Sequence, residues 1–169
     1  QLIAKYLRPA VANGQDMEAR EKMAFAQYLA GMAFNNASLG HVHAMAHQLG
    51  GYYDLPHGEC NAVLLPHVEK FNLIAKVDRF IDMAKAMGEN VEGLAPRAAA
   101  EKAVDAIKVL SADVGIPDGL VALGKRYGVE VKEQDIQTMT DNAQKDACGF
   151  TNPRCPTDAD VAAIYKAAL

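Results

Sequence analysis

The sequence of 169 residues predicts an all-α fold. In nearly every segment between glycine and proline residues, apolar side chains recur at the spacing of an amphipathic helix. No segment alternates apolar and polar residues over the length of a half-buried strand, and residues 129–131 are too few to form more than a fragment of one. No internal repeat or low-complexity linker divides the chain. We therefore expect a single helical, bundle-like domain over residues 1–169.

The first two helices follow from the spacing of their apolar residues. Leu2, Tyr6 and Ala10 share one stripe at the very beginning of the chain, without a preceding Ser, Thr, Asp or Asn to cap a helix. A helix without a start signal is typical of the back half of a longer helix, so we expect a fragment truncated at its amino terminus. A second helix is predicted over residues 16–35. Because this helix is apolar on nearly all sides, we expect it to be buried.

The later helices are marked by their ends. A third helix is predicted over residues 39–49, ended by Gly50 and Gly51, and a fourth over residues 58–72, which Pro66 should kink or split. The pairing of Thr157 with Asp160 indicates a capping box before a last helix. The remaining helices are predicted at residues 77–87, 96–114, 119–127, 132–147 and 158–169, with an irregular stretch at 148–156.

The composition excludes several classes of protein. Half of the residues are hydrophobic and 22% are charged, which is enough apolar surface for a folded core. The net charge of −4 provides no large positive field, so we expect no nucleic-acid partner. The apolar runs are also too short to span a membrane. The three cysteines form no C-x-x-C pair, which favours free thiols and a cytoplasmic location.

The histidines form the strongest chemical signal in the sequence, because all five lie between positions 41 and 67. On a helix, His43 and His47 share one face, whereas His41 points elsewhere. His57 precedes a helix amino terminus, where the positive end of the helix dipole disfavours the imidazolium form. Because neutral imidazole is a common ligand of iron and zinc, the cluster predicts a metal or catalytic site. The spacing leaves open which two of His43, His47 and His57 would bind.

Other interpretations of this cluster remain. The H-x-x-x-H spacing also occurs in ordinary helices, where the rings bond to backbone or water, and a metal site normally adds a carboxylate, for which Asp54 and Glu59 are the nearest residues. A zinc hydrolase using His43, His47 and a carboxylate is disfavoured, because the residues between the two histidines lack the Glu of H-E-x-x-H. His67 is better explained as a packed core residue. No G-x-G-x-x-G motif follows a strand, so the chain has no dinucleotide-binding half of its own.

Three stretches of the sequence resemble one enzyme family. Residues 31–51 read GMAFNNASLGHVHAMAHQLGG, residues 54–58 read DLPHG, and residues 146–153 read DACGFTNP. Together they closely resemble the iron-containing (group III) alcohol dehydrogenases, and the resemblance covers essentially the whole chain. It is nearest to the branch acting on ethanol, 1,3-propanediol or lactaldehyde. The implied fold is the all-α, dehydroquinate synthase-like carboxyl-terminal domain of that family.

The resemblance also implies roles for particular residues. In that family a Rossmann-like amino-terminal domain binds NAD(P), and the helical domain holds a divalent metal, usually Fe²⁺ and sometimes Zn²⁺, through one Asp and three His. The family pattern places the third and fourth ligands on His43 and His57. It places His47 beside the nicotinamide and the substrate, where it helps to move a proton. Phe34 and Cys148 match positions that line the substrate pocket.

The sequence departs from the family pattern in one respect. The family takes its Asp and first His from an upstream D-x-x-x-H motif, and no such motif occurs here. The resemblance therefore implies the metal- and substrate-binding domain of a longer enzyme that interconverts a small primary alcohol or diol and its aldehyde and commonly forms homo-oligomers. We expect the isolated chain to bind metal weakly and to be inactive. The alternative is a free-standing helical module that binds a metal or a partner without catalysis.

Overall fold

A computed structural model describes all 169 residues and contains nine α-helices and no strand, which confirms the predicted all-α fold. The helices are α1 (Leu2–Ala12), α2 (Met17–Ala37), α3 (His41–Tyr53), α4 (His57–Asn72), α5 (Val77–Met87), α6 (Pro96–Asp113), α7 (Leu120–Arg126), α8 (Ile136–Ala143) and α9 (Asp158–Ala168). Short 3₁₀ helices occupy Leu73–Ala75, Glu133–Asp135 and Ala147–Thr151. None of the helices has the length and apolar content needed to cross a bilayer.

The helices form two compact units. The first unit comprises Gln1–Ser38 and Lys76–Gly115, and the second unit comprises Leu39–Ala75 and Ile116–Leu169. Each unit is therefore assembled from two separate stretches of the chain. The expectation of a single domain stays a prediction, because compactness alone does not decide whether the units unfold together.

The second unit contains the larger hydrophobic core. In this unit α3 packs against α4 and α8, and α9 packs against the same two helices. The Tyr165 hydroxyl group is buried in this core and donates a 2.8 Å hydrogen bond to the Met45 carbonyl group, which ties α9 to α3. The largest fully buried side chains of the unit include Met45, Leu49, Leu64, Val68, Leu120, Leu123, Met139, Val161 and Tyr165. This packing fixes the helix that carries three of the five histidines.

The first unit is held together mostly by small side chains. Its α5 and α6 pack against each other, and the alanines that they bury include Ala84, Ala100 and Ala103. Larger buried residues are few, namely Phe80, Val104 and Ile107. Alanine at a helix interface lets the two backbones approach closely, but it removes little apolar area from water.

The predicted burial of α2 is wrong. Only Ala19 and Ala26 are buried on this helix of 21 residues. Its large apolar side chains are exposed, namely Met17, Phe25, Tyr28, Leu29, Met32 and Phe34. Apolar residues on all sides of a helix indicate that another element should cover it, but they do not show whether this chain contains that element. The inference from pattern to burial fails for that reason.

Predicted features of the third and fourth helices also differ from the structure. The third helix does not stop at Gly50 and Gly51; it continues to Tyr53 and ends where Asp54 adopts a left-handed conformation (φ 54°, ψ 33°). The Asp54 N–H donates a 2.9 Å hydrogen bond to the Gly50 carbonyl group, so the glycines extend the last turn. Pro66 does not split α4, in which it is itself buried. The capping box of Thr157 and Asp160 is confirmed.

Candidate active site

Three imidazole rings converge within the second unit. His43 and His47 lie one turn apart on α3, and His57 is the first residue of α4 rather than part of the preceding loop. The ring centroids of His43 and His57 are 5.4 Å apart, those of His47 and His57 are 5.3 Å apart, and those of His43 and His47 are 6.1 Å apart. Packing of α3 on α4 therefore unites all three residues, which we call the imidazole cluster.

The surroundings of His43 favour its neutral form. Burial lowers the pKa of His43, and the neighbouring rings of His57 and His47 lower it further, with partial opposition from Asp146. A neutral imidazole keeps a nitrogen lone pair, which is the donor that Fe²⁺ and Zn²⁺ require. This electrostatic setting suits a metal ligand.

His41 has a separate, structural environment. Its ring is buried and lies against Gly149, where an added Cβ would be 2.9 Å from the ring Cε1 atom. Burial lowers the pKa of His41, and its Nδ1 atom is buried without a hydrogen-bond partner. His67, for which the sequence indicates a packed core position, is only half-buried. Neither residue belongs to the imidazole cluster.

The donor set of the imidazole cluster fits a divalent cation only in part. The Asn61 amide nitrogen lies 3.1 Å from His57 Nε2 and donates to the His57 carbonyl group at 2.8 Å, so that Nε2 acts as an acceptor. His43 and His57 thus offer two imidazole rings to one cation. The two carboxylates named from the sequence do not complete the set: Asp54 caps α3, and Glu59 pairs with Arg126 at 3.1 Å. Two donors are fewer than the three or four protein ligands of a typical site.

Asp146 is a site residue that the sequence analysis did not single out. It caps the 3₁₀ helix Ala147–Thr151, where its Oδ1 atom accepts a 2.9 Å hydrogen bond from the Cys148 N–H group. Its Oδ2 atom lies 2.8 Å from His47 Nδ1. Burial opposes ionisation of the carboxyl group, but hydrogen bonds from His47 and Cys148 hold its pKa below the ordinary value. The available signal was the preference of Asp for a helix N-cap.

His47, Asp146 and Cys148 form a hydrogen-bonded chain. One potential ligand atom of each lies within 4.8 Å of the others, which also satisfies the distance requirement of a metal site. However, 2.8 Å between nitrogen and oxygen is an ordinary charge-assisted hydrogen bond. Burial raises the pKa of the Cys148 thiol, and Asp146 raises it further, so the sulfur keeps its proton.

A cavity of about 540 Å³ adjoins the imidazole cluster in the second unit. Its polar lining comprises His43, Asn61, Glu69, Asn72 and Asn152. Burial raises the pKa of Glu69. This residue could not be recognised from the sequence, because a single Glu on a helix forms no motif.

The two residues assigned to the substrate pocket lie in different units. Cys148 is half-buried in the second unit, next to Asp146 in the hydrogen-bonded chain. Phe34 is 50% exposed on α2 of the first unit. Its place in a substrate pocket therefore stays a prediction.

The sequence matches the model of the Fe-containing alcohol dehydrogenase family, C-terminal, over residues 1–169. It is 56% identical to 1,3-propanediol dehydrogenase from Klebsiella pneumoniae, covering 100% of this chain and 42% of that protein. It is 52% identical to NAD-dependent methanol dehydrogenase from Bacillus methanolicus, covering 100% of this chain and 43% of that protein. The chain thus spans less than half the length of these relatives.

Solved structures give the same result. A crystal structure of 1,3-propanediol oxidoreductase matches with a TM-score of 0.95 and 56% identity, over 99% of this chain and 42% of that chain. An alcohol dehydrogenase from Oenococcus oeni matches with a TM-score of 0.92 and 53% identity, over 99% of this chain and 42% of that chain. Because the family model covers every residue, the chain belongs to the Fe-containing alcohol dehydrogenase family, whose carboxyl-terminal helical region it represents.

Proposed function

We propose that this chain is the metal- and substrate-binding part of an NAD(P)-dependent alcohol dehydrogenase that interconverts a small primary alcohol or diol and its aldehyde. The observation that carries the proposal is the convergence of His43, His47 and His57, with ring centroids 5.3 to 6.1 Å apart. In this proposal His43 and His57 hold Fe²⁺, or alternatively Zn²⁺, together with ligands from outside the 169 residues. Most of the NAD(P) contacts also come from outside the chain.

The proposed reaction moves a hydride and a proton in separate directions. The alcohol carbon gives a hydride to the nicotinamide, and the alcohol oxygen loses its proton, so that one alcohol and one NAD(P)⁺ yield one aldehyde, one NAD(P)H and one H⁺. A divalent cation held by His43 and His57 would supply Lewis acidity, which makes an alcohol hydroxyl group easier to deprotonate. His47 receives the proton and passes it towards solvent, since its side chain is 38% exposed.

The substrate preference is proposed from the relatives and from the pocket residues. The relatives are named for 1,3-propanediol, methanol and lactaldehyde, all of which are small molecules with a primary alcohol or aldehyde group. The Cys148 side chain, which is short and has a thiol pKa raised by burial, suits a pocket wall for such a substrate.

The test compares two proteins made from the same gene: this chain alone, and the chain with the residues encoded upstream of Gln1. We expect the longer protein to retain iron and to reduce NAD⁺ with 1,3-propanediol. The isolated chain should bind Fe²⁺ weakly and should not turn over. Turnover by the isolated chain would contradict the proposal. A start codon immediately before Gln1 would favour a free-standing module instead.

Matched variants of the longer protein assign the ligands. His43→Ala and His57→Ala should each lose most of the bound iron, because each removes one of the two rings proposed as ligands, whose centroids lie 5.4 Å apart. His67→Ala is the control on the same helix as His57, and it should retain iron. Equal iron content in all three variants would exclude His43 and His57 as ligands.

A further inference from the structure

The carboxylate of Asp146 meets two different donors, one on each oxygen. Oδ2 faces His47 Nδ1 at 2.8 Å, and Oδ1 accepts the Cys148 N–H group at 2.9 Å. The Asp146 side chain is 18% exposed, so the carboxylate is partly shielded from water, whereas the His47 side chain is 38% exposed. An ionised carboxylate has no proton to donate, and the hydrogen bonds that it receives keep its pKa low. The proton in the bond to His47 therefore belongs to Nδ1 of the imidazole.

Residues 149–152 are fixed against α3 and α4 at several points. The Thr151 hydroxyl group donates to the Leu39 carbonyl group, and Asn152 Oδ1 accepts the His41 N–H group at 3.1 Å. Asn152 and Asn72 exchange hydrogen bonds of 2.7 and 3.2 Å through their side-chain amides.

Gly149 permits this close packing. An added Cβ there would lie 2.9 Å from the His41 ring, so only a glycine fits without a shift. Asp146 consequently approaches His47 from a rigid support, and the distance between their side chains is set by packing rather than by a flexible loop.

We propose that Asp146 is a positioning residue that holds His47 in the Nδ1–H tautomer and leaves its Nε2 lone pair free to accept a proton. The catalytic consequence of this proposal rests on the function proposed above, whereas the tautomer assignment does not. The His47 ring lies nearly parallel to that of His57, at an interplanar angle of 22° and a centroid distance of 5.3 Å. The contact with the carboxylate also limits rotation of the His47 ring.

The geometry identifies a substitution that reverses the tautomer without removing the cap. In Asp146→Asn the amide oxygen is expected to keep the bond from the Cys148 N–H group, because the amide nitrogen has no lone pair with which to accept it. The amide NH₂ group then faces His47 Nδ1 and donates to it. His47 must in turn carry its proton on Nε2, where it can no longer accept one. The cap and the fold are retained while the function of the ring is lost.

The first measurement needs only the 169-residue chain. Labelling the histidines with ¹⁵N and recording the ring nitrogen shifts by NMR should show His47 protonated on Nδ1 in the wild type and on Nε2 in Asp146→Asn. Asp135→Asn is the control, because it removes a carboxylate that bonds to Tyr53 at 2.6 Å rather than to a histidine. It should leave the His47 signals unchanged. An Nε2–H tautomer in the wild type would overturn the proposal. So would a Zn²⁺ titration in which the His47 Nδ1 signal shifts through binding to Asp146 and Cys148.

The second measurement uses the longer dehydrogenase. Asp146→Asn should lower kcat on the order of 10²-fold or more, the usual contribution of general acid–base catalysis, with KM and iron content nearly unchanged. An unchanged kcat combined with the reversed tautomer would overturn the catalytic consequence while leaving the tautomer assignment intact. Failure of the wild type itself to oxidise alcohols would instead count against the proposed function, so the two failures are distinguishable.

Discussion

The two compact units differ in how they use their apolar residues. The second unit, Leu39–Ala75 and Ile116–Leu169, buries a continuous core of large side chains beneath the histidines. The first unit, Gln1–Ser38 and Lys76–Gly115, buries mainly alanines and exposes the large apolar residues of α2. A site that depends on distances of a few ångströms needs side chains locked by packing. The difference indicates that the second unit supplies a rigid support for the imidazole cluster, whereas the first unit offers apolar surface.

Truncating a large side chain in the core of the second unit should give the largest loss of stability. Leu64 is fully buried in the second unit, so Leu64→Ala should lower the free energy of unfolding by about 2–5 kcal/mol. The matched control is Leu29→Ala on α2, where the side chain is 42% exposed and the loss should stay within about 0.5 kcal/mol. Urea unfolding monitored by circular dichroism measures both.

The same unfolding curves test whether residues 1–169 behave as one domain. Hydrogen exchange of amides in α6 and α9 reports on the first and second unit separately. A common loss of protection in Leu64→Ala would support the one-domain prediction, whereas loss confined to α9 would show that the units unfold independently. Equal costs for Leu64→Ala and Leu29→Ala would refute the contrast between the two units.

A smaller effect is expected where a loop segment packs on α3. Gly149→Ala places a Cβ 2.9 Å from the buried His41 ring and should cost about 1–3 kcal/mol, because the ring or the segment must shift to make room. Gly58→Ala is the control within α4, where nothing lies within 4 Å of an added Cβ. It should be neutral or stabilising by about 0.5–1 kcal/mol, as alanine favours a helix. Thermal unfolding of the two variants gives the comparison, and a neutral Gly149→Ala would show that the segment is not fixed.

The sequence predicts helices well because their signals are local. The predicted fifth helix has the observed bounds, Val77–Met87, and the capping box of the last helix is present. The shared face of His43 and His47 likewise follows from their i, i+4 spacing. The burial of α2 could not be predicted, because the pattern of a helix does not reveal whether another element covers it. The bond between His47 and Asp146 spans 99 positions and depends on tertiary packing alone.

Glu69 lines the cavity beside the imidazole cluster and should make the stability of the second unit depend on pH. Burial raises the pKa of Glu69 in the folded state, so the folded chain holds this proton to a higher pH than the unfolded chain does. Above the ordinary Glu pKa the unfolded state therefore binds fewer protons, and the contribution of Glu69 to stability declines as the pH rises through its raised value. Glu69→Gln should remove this decline, and it should be more favourable at pH 7 than at pH 4 relative to the wild type. Denaturant unfolding at the two pH values measures the effect, and a smaller benefit at pH 7 would contradict it.

The smallest effect is expected from an exposed ion pair of the first unit. Arg8 Nε and Asp113 Oδ2 lie 2.6 Å apart and join α1 to the end of α6, but their side chains are 41% and 46% exposed. Solvent screening limits such a pair, so Asp113→Asn should cost about 0.2–1 kcal/mol at low salt and less at 1 M NaCl. Arg79 and Asp82, separated by 3.8 Å and more exposed, form the control pair, for which Asp82→Asn should have no measurable effect. If Asp113→Asn instead lowered the free energy of unfolding by more than about 1 kcal/mol at both salt concentrations, the prediction would be wrong. The first unit would then depend on this polar contact more than its exposure suggests.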